Sequence, residues 1–286
     1  MKIKVFVVTY KNQDLLERCL ASLLQDPVED GDELQVSVMN NFGELVLSPE
    51  FTNRVSVINN NARPDFSTGH LSRSWNECIM HAFGDIRNPL CDVLILCQND
   101  TEFEQGYLQK LKECVGRYSY ITLGHGDEVQ IMTPEAVCKT GLFDERFCNI
   151  GFQEADYFLR AVITNPHDSS INDHFHKRLH NPLDDDIAII KDCVTGYFRN
   201  DENHLASMRY HNISRIVFLE KWLPLLDVDY CAETRYPIEV WDDHVKTRTE
   251  FPKQFMLYPY FEGGFPELDR KYFIIGQEHE SFDVLV

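Results

Sequence analysis

Two amides and an acid, Gln98-Asn99-Asp100, close the apolar run Asp92-Val93-Leu94-Ile95-Leu96-Cys97. A run this rich in apolar and β-branched residues reads as a central strand, with the polar trio at its C-terminal end. In open α/β sheets that edge is where ligands bind. A carboxylate there can hold a divalent cation against a phosphate. The same trio is also an ordinary turn former, so its neighbours decide the matter. Three further polar clusters follow apolar runs: Thr9-Tyr10-Lys11-Asn12, Asn40-Asn41, and Asn59-Asn60-Asn61 with Arg63. Amides and hydroxyls of this kind can read a base and a ribose by hydrogen bonds. On consecutive strands of one parallel sheet they would line a single site.

The elements that must position them alternate. Residues 3–8 predict a strand. Leu15, Leu16, Cys19, Leu20, Leu23 and Leu24 then repeat at helical period, with Asn12 placed to cap the start and Asp26-Pro27 to end it. Residues 34–39 and 55–58 predict two more strands. Leu71, Trp75, Ile79 and Phe83 are spaced four apart and predict a helix over 69–83. This β-α-β-x-β-α-β order predicts an α/β fold with an open, mostly parallel sheet flanked by helices. A short helix is marked at both ends, by Thr133 as cap, Pro134 at its first position and Gly141 beyond its end. Residues 152–164 predict another helix. Residues 165–212 are polar and read as a long irregular segment, 213–226 as helical, and 227–286 as an aromatic tail. We divide the chain into an α/β core, 1–165, and a C-terminal extension, 166–286, packed on it as one domain.

Bulk properties exclude some classes. The chain has 286 residues and a formal net charge of −19, the wrong sign for holding a nucleic-acid backbone or an anionic membrane. No apolar run approaches the ~20 residues of a membrane span. The first eight residues are too short an apolar stretch for a secretory signal. Nine cysteines, with no C-x-x-C pair, predict reduced thiols in a cytoplasmic protein.

The residues in order resemble the family 2 inverting glycosyltransferases and their relatives with the GT-A fold. The opening strand, turn and helix are VVTYKNQDLLERCLASLL, and strand two ends in Asn40-Asn41. FSTGHLSRSWNECI carries Gly69, Arg73 and Asn76. Gln98-Asn99-Asp100-Thr101-Glu102 stands at the metal motif, and GLFDERFCNIGFQEADYFLRA at the acceptor-side signature. The resemblance spans residues 3–163, and the last block is its most specific part.

It implies a hexosyl- or pentosyltransferase that moves a sugar from a nucleotide-sugar, a UDP-sugar by family frequency, to an acceptor hydroxyl with inversion, helped by Mn2+ or Mg2+. The acceptor would be a glycan, a glycoprotein or a lipid carrier. Donor-binding residues would be Thr9, Tyr10, Asn12, Asn41, Asn61, Arg63, Gly69, Arg73, Asn76, Gln98 and Asn99. Asp100 would ligate the metal, with His176 (or His174) as a further ligand. Glu154 falls at the position of the catalytic base, with Asp156 as the alternative. Two residues apart on a helix, these carboxylates cannot share one face. Gln98 and Gln153 are amides where the family has acids. That departure keeps a non-catalytic nucleotide or sugar binder of the same fold in play. A nucleotidyltransferase would need a glycine-rich, basic phosphate loop, which Thr9-Tyr10-Lys11-Asn12 is not.

Overall fold

The computed structural model describes residues 1–60, 71–123, 128–145, 147, 153, 154, 156, 157, 160, 161, 189–193 and 218. Its elements are β1 (Lys2–Thr9), α1 (Gln13–Leu23), β2 (Glu33–Asn40), α2 (Pro49–Thr52), β3 (Val55–Asn59), α3 (Leu71–Phe83), β4 (Val93–Gln98), β5 (Thr101–Phe103), α4 (Tyr107–Val115), β6 (Tyr120–Leu123), β7 (Val129–Met132), α5 (Pro134–Thr140) and β8 (Ile190–Cys193). Six strands form one sheet in the order β3-β2-β1-β4-β7-β6. The first four run parallel, and β7 and β6 add an antiparallel flank. The predicted α/β class and mostly parallel sheet are what is observed.

Period-two burial explains why the sheet is covered on both faces. Ile3, Val5, Val7, Val93, Ile95 and Cys97 pack against Leu16, Cys19, Leu20 and Leu23 of α1 and Leu111 of α4. The alternate residues Phe6, Val8, Leu94 and Leu96 pack against Trp75, Cys78, Ile79 and Phe83 of α3 and Val137 of α5. Strands buried on both faces read as near-continuous apolar runs, and these do. Helix α5 begins and ends as its residues dictate. The Thr133 side chain accepts from the Ala136 amide, and Gly141 takes φ 82° past the last turn. Asp26 does more than stop α1. Its carboxylate accepts from the amides of Gly106 (2.8 Å) and Leu108 (3.3 Å), satisfying donors at the start of α4.

Two expectations need correction. The segment 165–212 is not irregular throughout, because β8 pairs antiparallel with β5 in a second, two-stranded sheet. Asn12 does stand at the head of α1, but at φ 61° and with no side-chain capping bond. A capping side chain needs an extended backbone to reach the second or third amide of the helix, and the left-handed turn removes that reach. Asn61, Arg63, Gly69, His174, His176 and the tail 227–286 lie outside the described residues. So does the 213–226 helix except residue 218, which is helical. Among the described residues no helix is long and apolar enough to cross a membrane.

Candidate functional site

The registers bring the polar strand ends level. Thr9 stands opposite Asn40, Asn40 opposite Asn59, and Val8 opposite Gln98. One residue on, Asn99 is level with Thr9, and its side-chain amide donates to Thr9 Oγ1 at 2.9 Å. Asn40 donates to the Asn59 side chain (2.9 Å) and to the Gly43 carbonyl (3.0 Å). Asn41 is buried and donates to Ser74 Oγ in the first turn of α3 at 3.1 Å. The chain leaves β1 toward β2 and β3 on one side and returns to β4 on the other, so a topological switch point falls between β1 and β4. Thr9, Lys11 and Asn99 line it, and the buried Asp100 is next along the chain.

The turn at this crevice is unusual. Lys11 and Asn12 both take positive φ, 62° and 61°, which costs about 1–2 kcal/mol per residue for L-amino acids. The Lys11 carbonyl is held by Thr9 Oγ1 (3.0 Å) and by the Asn99 amide (3.3 Å). The Lys11 ammonium lies over two rings, 5.1 Å from the centroid of Tyr10 and 4.4 Å from that of Phe42. Those rings meet edge to face at 5.2 Å. Phe42 is 41% exposed although large and apolar. The Asn40 side-chain oxygen Oδ1, accepting from the Phe42 amide at 3.2 Å, fixes the turn that displays it. Composition hid Phe42 and Lys11, because nothing along the chain says that residues 31 apart meet.

The sequence-predicted residues of α3 have other partners in this structure. Asn76 clamps the backbone of Phe143 by donating to its carbonyl (2.9 Å) and accepting from its amide (2.7 Å). Arg73 pairs with Glu145 at 3.2 Å, and Asn76 donates to the same carboxylate at 3.0 Å. Neighbouring Glu77 accepts from the Asn60 side chain at 3.2 Å. Burial pushes the Glu77 carboxyl up from its ordinary range, with Arg73 opposing that shift.

The segment carrying Glu154 is set by two rungs. Tyr157 stacks on Phe143 with centroids 4.1 Å apart, and the Arg160 guanidinium donates to the Thr140 carbonyl at 2.7 Å. Numbers rise on one side as they fall on the other, so the segments run antiparallel. Residues 153, 154, 156, 157, 160 and 161 are helical. Glu154 lies one helical turn before Tyr157. The Phe147 carbonyl accepts from Ser72 Oγ, in the first turn of α3, at 2.9 Å. That turn also meets Asn41 through Ser74. Glu154 is buried. Asp156 points elsewhere, into a fully buried ion pair with Arg160 at 3.0 Å. The i,i+4 spacing of these two residues was the available signal for that pair.

Among the described residues no group of three His, Cys, Asp or Glu side chains could hold a metal ion. Asp100 stands at the crevice with an amide, Gln98, two residues before it. Mg2+-type ions are commonly bound by one or two carboxylates together with substrate phosphates. The donor set fits that kind of site and not an all-protein cage.

An open α/β sheet with a polar ligand edge at its switch point is the class these residues define. No protein-family model matches the chain, and no curated protein matches it. Solved structures are similar at low identity. S. aureus TarS is 11% identical over 82% of this chain and 46% of its own, with a TM-score of 0.43. TarS 1–349 in complex with UDP-GlcNAc is 11% identical over 57% of this chain and 54% of its own, with a TM-score of 0.40. The mannosyltransferase PcManGT from Pyrobaculum calidifontis, in complex with GDP-Man and Mn2+, is 10% identical over 83% and 77%, with a TM-score of 0.38. The chain thus spans about half the length of the TarS chain in the first match. The fold class rests on the strand order itself.

Proposed function

We propose that the protein transfers a sugar from a nucleotide-sugar, a UDP-sugar in the first instance, to an acceptor hydroxyl with inversion. The observation that carries this reading is the level row Thr9, Asn40, Asn59 and Asn99, with the buried carboxylate of Asp100 next along the chain. Thr9, Tyr10, Asn41 and Asn99 would hold base and ribose, together with Asn61. Asn12, Arg63, Gly69, Arg73, Asn76 and Gln98 complete the proposed donor side. Glu154 acts as general base. It takes the proton of the acceptor hydroxyl as that oxygen attacks the anomeric carbon, and the bond to the nucleoside diphosphate breaks on the opposite face. Asp156 is the weaker candidate, because neutralising Arg160 already occupies it. A Mg2+ or Mn2+ ion held by Asp100 and the diphosphate would supply positive charge to the leaving group. His176 is proposed as a further ligand. A glycan, glycoprotein or lipid carrier is the proposed acceptor.

The test is a panel of UDP-, GDP- and dTDP-sugars with Mn2+, scored for release of nucleoside diphosphate. Release from one donor is expected. Nucleotide binding without release from any donor would sink the enzyme reading in favour of a binder, which the amides Gln98 and Gln153 would suit.

A further inference from the structure

We infer that Lys11 is the cationic contact for the diphosphate of the donor, held on the Tyr10–Phe42 pair until the ligand arrives; the inference rests on the reading above. Lys11 lies in the crevice itself, because its carbonyl accepts from both Thr9 Oγ1 and Asn99, the residue before Asp100. Its ammonium sits on two aromatic rings and has no carboxylate partner among the described residues. Arg73, a second cation on this edge, is held by Glu145. In a chain of net charge −19, a dianionic ligand needs local positive potential to approach. The carboxylate side of the crevice is thin, with an amide at Gln98 and no three-ligand group among the described residues. A lysine supplies that charge from the protein. Its flexible four-carbon stem carries the ammonium between the end of β2, where Phe42 stands, and the end of β4.

Exposed ring faces hold a cation weakly, and a charge-assisted bond to phosphate is stronger. The diphosphate therefore draws Lys11 off the rings. The rings are then bare, and a planar base can stack on them. Phe42 is displayed for this by the Asn40 turn, which accounts for an exposed phenylalanine beside a polar crevice. The positive φ of Lys11 aims its side chain from the turn without a glycine to permit it.

The test is calorimetry of the full chain in EDTA, with UDP, GDP, uridine and guanosine as probes. Wild type is expected to bind a diphosphate without metal, with affinity falling as NaCl rises. Lys11→Met should weaken the diphosphate by roughly ten- to a hundredfold, bind the nucleoside no more weakly than wild type and flatten the salt dependence. Lys11→Arg, which keeps the charge, should restore most of the loss. If Lys11→Met binds diphosphate like wild type, or loses nucleoside and diphosphate equally, the inference is overturned while the transferase reading stands. A wild-type protein that binds neither UDP nor GDP, with or without Mn2+, overturns both.

Discussion

The parallel and antiparallel halves of the sheet build their share of the site in different ways. In the β3-β2-β1-β4 half, register does the positioning, since the parallel pairing brings the strand ends level within one residue. The proposed base is carried by a helical segment instead. Glu154 is held by side chains of its own segment, Tyr157 on Phe143 and Arg160 on Thr140 with Asp156 as counter-ion. The proposed base shares its segment with a buried ion pair.

Four substitutions would break or sharpen that contrast. The largest effect is expected at Glu154. Glu154→Gln should keep donor binding and lower turnover by about 10²–10⁴-fold, the usual share of a general base; normal turnover would move the base elsewhere. Asp156→Ala should leave Arg160 buried without its counter-ion and cost about 3–5 kcal/mol in urea unfolding. A protein equally stable without Asp156 would erase the difference between the halves. Asp100→Ala should unfold like wild type yet lose the Mn2+-dependent part of nucleotide binding, as measured by calorimetry with and without EDTA. The smallest effect is at Glu77. Its carboxyl is raised in the folded state by burial, so its contribution is favourable below the usual glutamate range and is lost as pH rises through the raised value. Glu77→Gln should therefore raise the melting temperature at pH 7 and change it little at pH 4.

Most of the parallel half was legible in the residues. Buried parallel strands are long apolar runs, and β1, β2 and β4 announce themselves as such. Helix α5 carried its own punctuation in Thr133, Pro134 and Gly141. The antiparallel flank was not legible. Strands β6 and β7 have four residues each, too few for a period to stand out, and β8 lies about ninety residues from its partner β5. Within the site, the asparagine clusters could be read as a sheet edge because a strand end is a local feature. The clamp of Asn76 on Phe143, the Arg73–Glu145 pair and the meeting of Phe42 with Lys11 depend on tertiary approach. Local spacing encodes none of these.

The left-handed pair at Lys11 and Asn12 has a chemical consequence. Right-handed amino acids, the D-enantiomers, prefer the backbone angles that these two L-residues endure. A chain assembled by ligation with D-asparagine at position 12 should hold the same bend at rest. The ordinary chain must instead be held there by the threonine and asparagine that grip the lysine carbonyl. Loosen that grip and the bend is free to relax, taking the first turn of the following helix with it.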